Sequence, residues 1–147
     1  VSLADGSDPA FSTATVVTDP LRVGQVVANL VGNALRVTPT GGSIRVTGRA
    51  TGGDVAIDVA DTGPGIAPGD LPHIFERSYL WAKSQQVRPV GTGMGLAIVR
   101  ELVVALGGRI EVTSQLGTGT TFTLRLPRAG GVPPQGSWPG RAHPTRP

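Results

Sequence analysis

The segment from Pro20 to Pro39 constrains the fold most, because a proline bounds it at each end. Asp19 before Pro20 is a typical N-cap followed by proline at the first helical position. The ring of Pro39 cannot continue a helix, and Gly41 and Gly42 favour a turn. Between these limits the apolar residues recur at helical spacing: Val23, Val26, Val27, Leu30, Ala34 and Val37. The spacing predicts one amphipathic helix.

Strands are predicted on both sides of this helix. Residues 43–50 and 54–60 alternate apolar and polar side chains across a Gly52-Gly53 turn, which predicts a β-hairpin. Upstream, residues 13–18 read as a short strand. No internal repeat is visible in the sequence.

The second half of the chain contains a further predicted helix and two strands. Residues 68–77 can form one or two helical turns, and residues 78–92 lack a regular pattern and are expected to be a mobile loop. A helix is predicted over 95–106, where a Gly-Gly pair ends it. Two strands follow at 109–114 and 120–126, joined by the turn QLGTG.

Length and composition indicate one domain without a membrane span. The chain has 147 residues, 39% hydrophobic and 16% charged, and no apolar run approaches the roughly 20 residues that cross a bilayer. It begins at Val1 and its only methionine is Met94, so we expect a fragment or a processed product, without a visible signal peptide. The absence of cysteine excludes disulfides, thiolate metal sites and cysteine nucleophiles.

The net charge of +3 is weak evidence for nucleic-acid binding. Arg128, Arg141 and Arg146 fall in the last twenty positions, so residues 1–127 carry ten basic and ten acidic side chains. Those last twenty residues, 128–147, contain five prolines and four glycines without apolar periodicity. We therefore expect a folded domain over 1–127, no nucleic-acid partner, and a disordered tail over 128–147.

The first chemical signal lies on the Pro20–Pro39 helix. Asn29, Asn33 and Arg36 stand at positions i, i+4 and i+7 and share one stripe beside the apolar face. An asparagine carbonyl can ligate Mg²⁺ and an arginine can pair with phosphate, so the stripe could hold a metal-nucleotide. From this helix alone, a solvated helix face is the commoner interpretation of such a stripe.

Two glycine-rich segments follow at the ends of predicted elements. In DTGPGI, Asp61 can accept a hydrogen bond from an exocyclic amine, and Gly63 and Gly65 allow close backbone approach. GTGMG, residues 91–95, opens the second long helix, where free N–H groups favour phosphate. Each motif is weak alone. The second is neither a dinucleotide fingerprint nor a Walker loop, because the flanking strand, acidic residue and G-K-[ST] are missing.

In this order the segments resemble the ATP-binding catalytic domain of sensor histidine kinases, a branch of the superfamily that includes gyrase and MutL. The resemblance covers roughly residues 15–127. The matching motifs are an N box NLVGNALRVTPTGG, a first glycine box DTGPGI, an F box LPHIFERSY, a second glycine box GTGMGLAIVRELVVALGG and a closing strand GTGTTFTLRLP.

The resemblance implies a fold and a site. The fold would be a two-layer α/β sandwich, with a mixed sheet of about five strands and about three helices on one face. Asn33 would be the Mg²⁺ ligand, Arg36 would touch the phosphates of ATP, and Asp61 would accept from the adenine amine. The other residues expected to bind the nucleotide are Asn29, Gly63, Gly65, Ile66, Arg77, Gly91, Thr92, Gly93, Met94, Gly95, Leu96 and Thr120.

Several departures from the family pattern bear on activity. Val37 and Ser78 stand where the family usually has aromatic residues, which favours weaker ATP binding and motivates an alternative, a degenerate nucleotide-binding or docking module. Arg36 replaces the common lysine, and Met94 the usual leucine. Asn29 replaces the glutamate that ATP-hydrolysing and serine-phosphorylating branches carry, and an amide cannot take a proton from water or serine. Asn29 therefore favours phosphoryl transfer to histidine over the alternative of an ATPase or serine kinase.

The expected phosphoacceptor is a histidine on a helical, dimerising hairpin that this chain lacks. Neither His73 nor His143 has the acidic residue and proline that follow the acceptor in the family. The resemblance therefore implies a monomer that meets the hairpin in a longer protein or on another chain, and acts on a response regulator indirectly. It also implies a cytoplasmic location, as a separate protein or as the cytoplasmic part of a membrane-bound sensor. By the same resemblance, residues 78–92 would form a lid, with Arg77, Lys83 and Arg88 as its cations.

Overall fold

A computed structural model of the chain describes residues 2–5, 9–76 and 95–129. The elements in chain order are β1 (Ser2–Asp5), α1 (Pro20–Val37), β2 (Ser43–Ala50), β3 (Asp54–Asp61), α2 (Gly95–Ala105), β4 (Arg109–Gln115) and β5 (Gly119–Pro127). Single 3₁₀ turns lie at Phe11–Thr13 and Leu71–His73. The sheet has the order β1-β2-β3-β5-β4, in which β1 pairs parallel with β2 and the other neighbours are antiparallel.

One hydrophobic core lies between the helices and one face of the sheet. Apolar side chains of α1 and α2 meet apolar side chains of four strands and of Ile74, which follows the Leu71–His73 turn. The largest fully buried side chains are Phe122, Leu30, Ile44, Ile74, Leu124, Val26, Val59, Val99 and Val103. The two-layer sandwich with a mixed five-stranded sheet is therefore confirmed.

Local chemistry sets both ends of α1 as the sequence indicated. Oδ1 of Asp19 accepts hydrogen bonds from the N–H groups of Leu21 at 3.0 Å and Arg22 at 3.2 Å. At the other end, the backbone N–H and the hydroxyl of Thr38 both donate to the carbonyl of Ala34, at 2.9 and 2.7 Å. These bonds satisfy terminal backbone groups and end the helix just before Pro39.

One predicted element differs in the structure, and a second is short. The strand expected at 13–18 is wrong: residues 14–18 form no strand, and Ser2–Asp5 occupies the edge beside β2 instead. Residues 14–18 line an apolar cavity together with Val23, Ile57 and Leu126. The apolar residues of this segment therefore alternate because they pack into that cavity, and not because the segment pairs with a strand. Over its described residues, 68–76, the segment expected to form one or two helical turns contains the single 3₁₀ turn Leu71–His73.

The mobile loop expected over 78–92 lies outside the described residues, and so do residues 130–147 of the expected disordered tail. The described chain continues slightly past the expected domain end. The N–H groups of Arg128 and Ala129 donate to the carbonyls of Gly53 and Thr15 at 2.9 and 3.0 Å.

Candidate nucleotide-binding site

A row of polar side chains crosses three strands on the helix-facing side of the sheet. Asp61 of β3 pairs in register with Thr120 of β5, and Thr120 pairs with Ser114 of β4. The residues two positions away along these strands, Val59, Phe122 and Val112, belong to the core or pack against it. We call Asp61, Thr120 and Ser114 the inner polar row.

Asp61 is a buried carboxylate, 7% exposed, held by backbone donors. Its Oδ1 accepts from the N–H of Gly63 at 2.8 Å, and the N–H of Thr120 also donates to the carboxylate. Burial raises the pKa of Asp61 above its usual 3.8, while these two hydrogen bonds act to lower it. A carboxylate accepts about four hydrogen bonds, so Asp61 retains free acceptor positions for a ligand.

The first glycine box packs against the turn between β4 and β5. The N–H of Ile66 donates to Oγ of Ser114 at 2.8 Å, and the N–H of Gly117 donates to the carbonyl of Pro64 at 2.9 Å. Gly65 has a φ of 74°, and a β-carbon there would run into the carbonyl of Gln115. Glycine is therefore required at 65 both for its dihedral angle and for the close approach of two backbones.

The other predicted stripe lies beside the start of α2. Nη2 of Arg36 donates to Oδ1 of Asn33 at 3.1 Å, and Nδ2 of Asn29 donates to the carbonyl of Gln25 at 2.8 Å. A methyl group built on Gly95 would lie 3.6 Å from Oδ1 of Asn29 and 3.8 Å from Nη2 of Arg36. The stripe therefore faces the N-terminus of α2, whose free N–H groups favour an anion.

The end of α1 brings the stripe and the glycine box together. A methyl group on Gly63 would lie 3.1 Å from both Cγ2 and the carbonyl of Val37, so Val37 contacts the loop after Asp61. Val37 itself is 40% exposed. Leu96 is buried in the core, and its expected place beside the nucleotide stays a prediction. Five other expected site residues lie outside the described part of the chain: Arg77, Gly91, Thr92, Gly93 and Met94.

Sequence reasoning missed two hydroxyl groups that shape the site. Ser114 contacts both Ile66 and Thr120, and Oγ1 of Thr62 accepts from the N–H of Ser43 at 2.9 Å. A signal for Ser114 was available, because it occupies an inward-facing position in the alternation of β4, where Ile110 and Val112 are apolar. A polar residue at such a position needs a hydrogen-bonding partner or a ligand.

Family comparison agrees with this arrangement. Residues 18–130 match the family described as histidine kinase-, DNA gyrase B-, and HSP90-like ATPase. The chain belongs to this family. Within it, the chain is a sensor histidine kinase ATP-binding domain, as its relatives show.

Three similar proteins illustrate the relationship. Histidine protein kinase DivJ of Caulobacter vibrioides is 47% identical over 103 residues, 70% of this chain and 17% of DivJ. Sensor-like histidine kinase SenX3 of Mycolicibacterium smegmatis is 43% identical over 101 residues, 69% of this chain and 26% of the relative. The crystal structure of full-length ShkA in complex with AMPPNP superposes with a TM-score of 0.72 at 34% identity, covering 91% of this chain and 27% of that one.

This chain thus spans about a quarter or less of the length of these curated relatives. Over residues 2–5, 9–76 and 95–129, neither helix is long and apolar enough to cross a membrane. In the same part of the chain, no group of three or more acidic or histidine side chains could hold a metal ion.

Proposed function

We propose that this histidine kinase domain binds Mg-ATP and transfers the γ-phosphoryl group to a histidine on a separate hairpin. One observation carries the proposal. The amide oxygen of Asn29 and the guanidinium of Arg36 converge on Gly95 at the start of α2. That convergence places a cation and backbone N–H groups where a phosphate chain would be stabilised.

The inner polar row would hold the base at the other end of the nucleotide. Asp61 offers free carboxylate acceptor positions, and Gly63 and Gly65 allow the backbone to approach a planar ring. Val37 contacts the loop at Gly63 and would lie beside the base. The nucleotide would then run along the C-terminal half of α1.

The donor set fits magnesium that arrives with ATP. Oδ1 of Asn33 is a hard oxygen donor, and its hydrogen bond from Arg36 leaves one lone pair. Mg²⁺ is commonly held by one or two protein oxygens together with substrate phosphates. The ion would neutralise charge on the phosphates, while Arg36 would orient the phosphate chain from the adjacent turn.

Asn29 favours histidine as the acceptor. It stands four residues before Asn33, and its Nδ2 is tied to the carbonyl of Gln25, so it presents no carboxylate that could activate water or serine. A neutral imidazole is already a nucleophile near neutral pH and needs no such base. Positioning and charge neutralisation are then sufficient for phosphoryl transfer.

The partners follow from the same proposal. We propose that the acceptor hairpin lies in a longer protein or on another chain, that a response regulator receives the phosphate afterwards, and that the isolated domain is a cytoplasmic monomer. Arg77 and the glycines of the second glycine box would complete the site.

The direct test is incubation with labelled Mg-ATP, with and without the hairpin of the cognate kinase. We expect acid-labile, base-stable phosphate on the hairpin only, little ATP hydrolysis, and loss of transfer in Asn33→Ala. Leu21→Ala is the matched control, since Leu21 is on the same helix and 84% exposed. Label on serine, or strong release of phosphate, would indicate a serine kinase or an ATPase of the same superfamily. Label on this chain itself would contradict transfer to a hairpin. A folded chain that labels nothing would indicate a degenerate nucleotide-binding module.

A further inference from the structure

Ser114 stands at the centre of three polar neighbours, although the strand that carries it is otherwise apolar on this side. Its Oγ is 2.8 Å from the N–H of Ile66, 3.0 Å from the carbonyl of Gly119 and 2.9 Å from Oγ1 of Thr120. Three short contacts fill the whole capacity of a hydroxyl, which has one proton to donate and two lone pairs to accept with.

The chemistry of the neighbours fixes the direction of each bond. The Gly119 carbonyl can only accept, so it takes the single proton of Ser114. The Ile66 N–H can only donate, so it occupies one lone pair. The other lone pair is left for Thr120, which must therefore donate its own proton to Ser114. The hydroxyl of Thr120 is consequently left with acceptor capacity alone.

Thr120 lies beside Asp61, the residue expected to bind the base. The two are register partners on β5 and β3 and are 5% and 7% exposed. An ionised Asp61 side chain also only accepts. A ligand that reaches Asp61 and Thr120 therefore meets a hydrogen-bond acceptor on β3 and another on β5. Neither group offers it a proton.

We propose that Ser114 is a positioning residue that selects adenine over guanine by directing the Thr120 proton away from the base. This inference rests on the proposed function, because it requires a purine nucleotide in the site. The exocyclic group of adenine is an amine that donates, whereas guanine carries a carbonyl oxygen at the equivalent position. Two acceptor groups match the amine and leave the carbonyl without a donor.

The test measures Mg-ATP and Mg-GTP binding to the 147-residue chain by calorimetry. Ser114→Ala frees the Thr120 proton to rotate toward a guanine carbonyl, so the ratio of ATP to GTP affinity should fall about tenfold, the value of one hydrogen bond. Ser114→Thr keeps the hydroxyl and should keep the ratio. Circular dichroism and urea unfolding confirm that each variant is folded.

A double-mutant cycle separates this role from a purely structural one. In a Thr120→Val background there is no proton to direct, so Ser114→Ala should no longer change the ratio. Parallel loss of ATP and GTP affinity in Ser114→Ala, or the same change of ratio with Val at 120, would overturn the inference. So would a wild-type chain that binds both nucleotides equally or neither. Selective ATP binding that depends on Ser114, without phosphate transfer to any histidine, would uphold the inference and refute the proposed function.

Discussion

Two of the three carboxylates on strand β3, Asp58 and Asp61, face opposite sides of the sheet and differ in their partners. Asp58, on the outer face, binds Nε and Nη2 of Arg49 at 2.8 and 3.2 Å and accepts from the hydroxyl of Thr123 at 2.6 Å. Asp61, on the helix-facing side, accepts from the backbone N–H groups of Gly63 and Thr120. No arginine of the described residues pairs with Asp61.

The pKa values of the two side chains move in opposite directions. Burial acts to raise the pKa of Asp58, but the hydrogen bonds from Arg49 and Thr123 outweigh it and leave that pKa below 3.8. Burial of Asp61 prevails over its two backbone bonds and raises its pKa. The outer carboxylate therefore contributes to folding stability when ionised, whereas the inner one is ionised at some cost to stability.

The other carboxylates on the outer face are also paired with arginines, as Asp58 is. Arg109 pairs with Asp54 at 2.8 Å and with Glu111 at 3.1 Å, and Arg125 pairs with Glu111 at 3.0 Å. Neighbouring strands thus supply partners for these charges from within the sheet. In the inner polar row, by contrast, the Asp61 carboxylate retains acceptor positions without a protein partner. A site that binds a hydrogen-bond donor of a ligand requires such positions.

Forcing the first glycine box away from the sheet should have the largest effect. In Gly65→Ala, the new β-carbon meets the Gln115 carbonyl at a φ of 74°, so the free energy of unfolding should fall by about 3–5 kcal/mol. Gly117→Ala is the matched control, because Gly117 has the same φ but nothing within 4 Å of a β-carbon, and it should lose only about 1–2 kcal/mol. Urea unfolding measures both, and equal losses would show that strain alone, and not the clash, governs this loop.

Exchanging each carboxylate for an amide should separate stability from binding. Asp58→Asn should lower the free energy of unfolding by about 1–2 kcal/mol, because the Arg49 pair is lost at a partly exposed site, and should leave ATP affinity unchanged. Asp61→Asn should weaken ATP about 10- to 100-fold, and GTP less, with a smaller loss of stability at neutral pH. Calorimetry and urea unfolding of both variants check this, and equal loss of ATP and GTP would reduce Asp61 to a loop-shaping role.

The same variants should diverge with pH. The folded-state pKa of Asp58 is lowered, so its contribution is present above the unfolded value near 3.8 and disappears as pH falls through the folded pKa. The folded-state pKa of Asp61 is raised, so its favourable contribution is present below the unfolded value and is lost as pH rises through the folded pKa. On acidification, wild type should therefore lose its advantage over Asp58→Asn and gain relative to Asp61→Asn. Parallel curves would contradict the comparison.

Local sequence signals predicted the helix and the hairpin around the inner polar row, because residues close in the chain determine both elements. The Asp19 cap, the prolines bounding α1 and the Gly52-Gly53 turn act within a few residues, and the structure confirms the helix and hairpin they indicate. The strand expected at 13–18 failed because apolar packing against the helix-facing side of β3 and β5 overrode its β propensity.

The candidate site was predictable only in part for a similar reason. Asp61 became a candidate because it stands at a strand end, and Asn29, Asn33 and Arg36 because of their helical spacing, so both signals lie within single elements. The hydrogen bonds of Ser114 depend on Ile66, 48 residues away, and on register across two strands. Spacing along the chain does not encode such a contact, so the hydrogen-bond directions in the inner polar row emerge only from the fold.

The smallest expected effect tests whether the exposed end of α1 contributes to base binding. Val37 is 40% exposed and its Cγ2 would be 3.1 Å from a methyl group on Gly63, so a larger side chain there can cover a base held by Asp61. Val37→Tyr should tighten ATP and adenosine alike by about 3- to 10-fold, since an aromatic face adds about 0.5–1.5 kcal/mol beyond burial. Leu35→Tyr is the control, because Leu35 is exposed on the same helix two residues away. Calorimetry should show no gain there, and tightening of ATP without adenosine would mean that the new hydroxyl reaches the phosphates and that position 37 does not contact the base.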